Sequence, residues 1–158
     1  MSIVHMHLLL NHIPVVGAFV GIALFGYALA RRSSEVTKVS LGLFVVLAAI
    51  SVAVFLTGEP AEEAIEHLPG FSSGITEEHE EIGRLAMLAI VFFGALGAGA
   101  LTYFRRRPVP RWLSAVALLI SLSLGGLMTV TASLGGQIRH TEIRTGASAA
   151  EEVERDKH

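Results

Sequence analysis

Cysteine is absent from the 158 residues, which excludes disulfides, thiolate metal sites and covalently attached haem. Charge is scarce as well. Only 16% of the chain is Asp, Glu, Lys or Arg, where a soluble domain carries about a quarter. Alternation of polar and apolar residues is also missing, which excludes the strands of a transmembrane barrel. No nucleophile triad, phosphate-binding loop or dinucleotide fingerprint is present. No basic segment precedes the first apolar run, so that run does not read as a cleavable signal peptide.

What the chain has is apolar length. Hydrophobic residues make up 52% of it and the mean hydropathy is +0.59. Charge avoids four stretches, at 12–30, 39–57, 82–104 and 112–135, with Arg84 as the one exception. Each is about 19 to 24 residues long, enough for a helix rising about 1.5 Å per residue to cross a ~30 Å hydrocarbon core. Backbone groups in lipid must be satisfied within their own segment, which leaves helices. The expected fold is therefore all-α: an integral membrane four-helix bundle at 1–140, followed by a polar, mobile tail at 141–158.

Basic residues set the expected orientation. Arg31, Arg32 and Lys38 follow span one, and Arg105, Arg106, Arg107 and Arg111 follow span three, so seven of the twelve Lys and Arg residues fall in two short loops. The positive-inside rule makes that side cytoplasmic, with both termini and the loop between spans two and three outside. Trp112 and Tyr103 read as interfacial anchors at the cytoplasmic side. Topology accounts for the arginines, and no nucleic-acid partner is implied.

The outer loop, TGEPAEEAIEHLPGFSSGITEEHEE, carries eight glutamates between Gly58 and Ile82. Pro60 fits the first turn of a short helix that Leu68-Pro69-Gly70 stops, and Thr76 reads as the N-cap of span three. A solvated acidic rim is the plain reading of most of these glutamates.

The histidines are more informative. His5, His7 and His12 lie near the start of span one, His67 in the loop, His79 at the start of span three and His140 just past span four. None of the six falls in a span centre or a basic loop. On helices, His79 continues down one stripe through Gly83, Ala86 and Met87, and His140 through Gly136, Ser133 and Thr129. Met128 reads as core filler. Imidazoles at the edge of the hydrocarbon are candidate ligands.

The segment His7-Leu-Leu-Leu-Asn-His12-Ile-Pro14 resembles the opening of an uncharacterised bacterial membrane family, domain of unknown function 2231. Its members look like four-helix bundles with another histidine near the third span, the place His79 takes here. The resemblance implies kinship with small membrane cytochromes b, in a bacterial cytoplasmic membrane.

Three expectations follow. In the first, the bundle binds b-type haem near its outer face as an electron carrier rather than a stand-alone enzyme. His12 with His79 would form the first axial pair, His7 with His140 a second, and Arg84, Arg139 and Arg144 would meet the propionates. In the second, a His and Glu cluster holds copper, iron or zinc. Its ligands are drawn from His5, His7, His12, Glu63, His67, His79 and His140. In the third, the chain is an accessory subunit of a larger respiratory complex. Lipid is a partner in every case, and a redox partner or an oligomer is compatible with each.

Overall fold

The computed structural model describes residues 2–144. Among the described residues there are five α-helices: α1 (Ile3–Arg31), α2 (Ser34–Leu56), the short α3 (Gly58–Glu63), α4 (Ser73–Tyr103) and α5 (Arg111–Arg139). A 3-10 turn follows at Thr141–Ile143. The four long helices are each apolar and long enough to cross a membrane, and their outward faces carry Leu9, Val39, Phe92 and Leu119, all more than 60% exposed. Such faces suit lipid and not water. The chain is a multi-pass membrane protein.

The helices pack in the ring order α1, α2, α4, α5, with α5 closing back on α1. Short connections keep successive spans antiparallel. At one end, Arg32 takes a left-handed conformation (φ 54°) and closes α1, and Ser33 caps α2 by accepting from the Val36 amide. At the same end, Ser34 Oγ accepts from the Val109 amide at 2.7 Å, and Thr37 meets Ser114 at 2.9 Å between α2 and α5. We call this the arginine end. The opposite end carries the histidines, α3 and the 3-10 turn.

Three phenylalanines fill the middle. Phe25 stacks on Phe44 (centroids 5.9 Å apart), and Phe93 meets Phe44 edge-on at 4.8 Å. Phe44, Leu47 and Ile90 are fully or nearly fully buried around them. The α2–α4 contact is tightest at Gly94, where a Cβ would lie 2.6 Å from Ala48 Cβ and 2.9 Å from the Phe44 carbonyl oxygen. Lipid tails are as apolar as these side chains, so close packing of this kind is what holds membrane helices together.

Two helix starts differ from the expectation. α1 begins at Ile3 with Ser2 as its N-cap, so His5, His7 and His12 lie within the helix and do not merely open it. α4 begins at Ser73 with Ser72 as its cap residue, and Thr76 is buried in the first turn with its hydroxyl donating to the Ser72 carbonyl. In both cases the helix starts N-terminal to the charge-free run, through IVHMHLLLN in α1 and SGITEEHEE in α4. α3 is also shorter than expected: it stops at Glu63, leaving Glu66 and His67 in turns.

Candidate cofactor site

At the histidine end the four long helices enclose an open cleft of about 1260 Å³. It is lined by His7 and His12 from α1, His79 from α4 and His140 at the end of α5. Seven glutamates from the 59–81 segment line it as well, with Arg84 as the one basic residue.

Each of these four imidazoles is tied at Nδ1. His7 reaches across to α2, where its Nδ1–H is 3.2 Å from the Val54 carbonyl and 3.1 Å from Thr57 Oγ1. Thr57 spends its own hydroxyl proton on Val54 O at 2.8 Å, so it accepts from His7. His79 reaches across to α5 and donates to the Thr131 carbonyl at 3.0 Å. His12 donates to Leu8 O of its own helix at 2.7 Å, and His140 to the Glu142 carboxylate at 2.9 Å. Carbonyls and carboxylates only accept, so the proton sits on Nδ1 and the neutral ring keeps its Nε2 lone pair. A ring held this way is oriented for ligation, because ligating histidines generally donate their second nitrogen to such an acceptor.

The four are not equivalent. His7 and His79 are part-buried, anchored to a neighbouring helix, and both line the cleft. His12 and His140 are exposed and bonded within their own chain segment. Room for His79 is made by Gly135, where a Cβ would lie 3.0 Å from its Cε1. His7 sits beside Gly58, with 3.7 Å to a Cβ there.

The α4 stripe behaves as its spacing predicts: His79, Gly83, Ala86 and Met87 all line the cleft. On α5 the lining face is rotated. It runs through Met128, Thr131, Ala132, Gly135 and Gly136 to His140, while Ser133 and Thr129 are exposed elsewhere.

The remaining candidates disperse. His5 is exposed, meets Ser2 Oγ at 2.7 Å and lies off the cleft. His67 is exposed in the turns after α3, also off the cleft, so it does not pair with Glu63 along a helix. Glu63 does line the cleft. Among the described residues no group of three or more His, Asp or Glu side chains is arranged to hold a bare metal ion. Arg84 lines the cleft, whereas the Arg139 side chain falls outside the described residues. Arg144 is buried and engaged elsewhere. It donates to the carbonyls of Gln137 (2.9 Å), Ile138 (3.2 Å) and Gly70 (2.6 Å), tying the end of α5 to the loop before α4.

The acidic rim is not uniformly solvated. Burial, a hydrogen bond with Glu80 and repulsion from Glu80, Glu66 and Glu59 together push the Glu62 carboxyl up to about 7. At the far side, the Glu142 carboxyl is held below the usual range by its own backbone amide and by His140.

Two features escape the sequence reading. Gly135 lies in a run of small residues with no mark of its role. Ser51 lines the cleft from α2, is 4% exposed, and its hydroxyl has no hydrogen-bond partner. Its signal was a lone hydroxyl in the apolar run ISVAVFL. No family model, no curated protein and no solved structure matches this chain, so the resemblance drawn above stands on its short histidine motif.

Proposed function

We propose that this cleft binds b-type haem and that the chain is an electron-transfer protein of a bacterial cytoplasmic membrane. The supporting observation is the tethering of His7 on α1 and His79 on α4, each by Nδ1 to a neighbouring helix, each with Nε2 left to ligate. A porphyrin supplies four nitrogens to its iron, so one or two imidazoles complete the site. That demand suits a cleft without a three-ligand cluster among the described residues. The pair favoured here is His7 with His79, in place of His12 with His79, because the exposed His12 is tethered only to its own helix. When bound, the haem supplies one-electron chemistry; the protein supplies orientation, burial and the surrounding field. The seven basic residues at the opposite end support an orientation with the cleft outside the cytoplasm.

One observation favours a second reading, a non-haem copper, iron or zinc site. Seven glutamates against one arginine make the rim strongly negative, and the raised Glu62 proton affinity is a sign of that field.

The purified protein separates the two. Haem gives a Soret band and a reduced-minus-oxidised signal, which His7→Ala and His79→Ala should each abolish, while His5→Ala and His67→Ala keep it. A colourless protein carrying stoichiometric metal supports the second reading. A full haem signal in both His7→Ala and His79→Ala removes the proposed pair.

A further inference from the structure

Ser51 is the one buried side-chain polar atom without a partner among the described residues. Two other buried serines of the bundle spend their hydroxyls on their own helices, Ser40 on the Val36 carbonyl and Ser121 on the Leu118 carbonyl, and a third, Ser114, is paired with Thr37. Ser51 faces the cleft instead. It lies five residues before the end of α2, roughly 8 Å below the rim at 1.5 Å per residue. An unmade hydrogen bond at that depth is costly in a protein alone and is recovered when a ligand supplies the partner.

The lining narrows the ligand. With His7 and His79 committed to the cofactor, glutamates together with His12 and His140 dominate its remaining polar surface, and ionised carboxylates and imidazole Nε2 atoms accept hydrogen bonds. Beside a cofactor whose propionates would meet Arg84, a second ligand is therefore favoured if it brings donors and adds no negative charge. Away from the glutamates the lining is largely apolar, with Met87 on α4 and Met128 on α5, and thioethers pack well against aromatic rings. Leu8, Phe55 and Leu56 line the cleft and are also exposed on the outward faces of α1 and α2, so the mouth is continuous with the lipid-facing surface. At about 1260 Å³, the cleft exceeds the ~300–1,000 Å³ usual for one small ligand and leaves room beside a cofactor.

We propose that the α2 wall of the cleft at Ser51 is a binding subsite for the head of a lipid-soluble hydroquinone, whose hydroxyls meet Ser51 Oγ and the acceptor groups of the cleft. This names the reductant class for the same cleft and rests, for its purpose, on the electron-transfer reading. Binding itself is measurable without it.

The test is equilibrium binding of decyl-substituted hydroquinone, kept reduced under anaerobic conditions, to the protein in lipid nanodiscs. Wild type should bind it more tightly than the corresponding quinone, which has no donors, and more tightly than an alkylammonium of equal length. Ser51→Ala should weaken binding roughly threefold to tenfold, the worth of one hydrogen bond, and Ser51→Thr should restore most of it. Ser40→Ala, a buried serine that is already satisfied, should change nothing. No binding by wild type, equal affinity in Ser51→Ala, or preference for the quinone or the ammonium would each overturn the subsite. Haem absorbance read in the same samples keeps the two ideas apart. Full haem with no hydroquinone binding sinks this inference alone, and binding without haem sinks the cofactor reading.

Discussion

The imidazole of His79 on α4 donates to the main-chain carbonyl of Thr131 on α5, 3.0 Å away, across the bare backbone of Gly135. A carbonyl within a helix already accepts from an amide four residues on, so this contact uses its second lone pair and leaves the helix intact. The absence of a Cβ at Gly135 allows the ring to lie against α5. Gly135→Ala would place a methyl group 3.0 Å from Cε1, within van der Waals radius, and the ring must tilt away. We expect this variant to assemble but to lose cofactor affinity by at least tenfold, measured by titration of the apoprotein. Gly126→Ala, where nothing lies within 4 Å, serves as the control. Equal affinity in the two variants would remove Gly135 from the site.

Arg144 gathers three main-chain carbonyls from two segments. Hydrogen bonds from a charged donor contribute about 1.5–3 kcal/mol, so Arg144→Ala should free the loop before α4 from the end of α5. Limited proteolysis should then cut near Gly70 several-fold faster than in wild type, with the spans intact. An unchanged cleavage rate would show that the loop is held by something else.

The spans and the gathering of histidines at one end were legible in the sequence, because lipid imposes length and apolarity on a helix and charge marks its ends. The depth of the site was not. Gly17, five residues on from His12, packs on Leu47 of α2, and Ser133 and Thr129 point away from the cleft that His140 lines. Membrane helices are apolar all round, so periodicity does not say which face turns inward. That choice is made by the few close contacts, such as Gly125 against Ile22 and Gly94 against Ala48. Glu62 looked like any other rim carboxylate; its burial, together with the approach of Glu80 from α4, distinguishes it.

That burial and that contact give a pH dependence with a definite sign. The native Glu62 carboxyl titrates near about 7 against an ordinary value of 4.5, so the folded protein holds a proton that the unfolded chain releases sooner. The resulting stabilisation is fully present below about 4.5 and is lost as pH rises through about 7. Wild type should lose more thermal stability than Glu62→Gln over that window, since the amide cannot ionise yet can still donate to Glu80. Parallel curves for the two proteins would rule the shared proton out.

Orientation is testable because the chain has no cysteine of its own. Ser73 and Arg106 are both exposed, at the histidine end and the arginine end respectively. Single cysteines at these positions should label oppositely with an impermeant reagent on whole cells: Ser73→Cys reacts and Arg106→Cys does not. The reverse pattern would turn the cleft toward the cytoplasm.

The last prediction concerns what holds the bundle beneath the cleft. Two glycines of α4 five residues apart meet different surroundings. At Gly94 a Cβ would collide with Ala48 Cβ at 2.6 Å and with the Phe44 carbonyl oxygen at 2.9 Å, while at Gly99 it would meet nothing within 4 Å. The second obstacle at Gly94 is backbone, so no side-chain rotation relieves it; α2 and α4 must move apart. Overpacking of this kind costs about 1–3 kcal/mol, and moving these helices apart also loosens Phe44 against Phe93, whose rings lie 4.8 Å apart. Gly99→Ala adds a methyl group to the lipid-facing side and should be tolerated. Each helix satisfies its own backbone in lipid, so helicity by circular dichroism should hold in both variants. Thermal stability in detergent is the discriminating measurement, with Gly94→Ala lower than wild type and Gly99→Ala unchanged. If Gly94→Ala is as stable as Gly99→Ala, the α2–α4 contact is more pliable than this packing implies, and the geometry of the histidines above it must be fixed from the α1 and α5 sides instead.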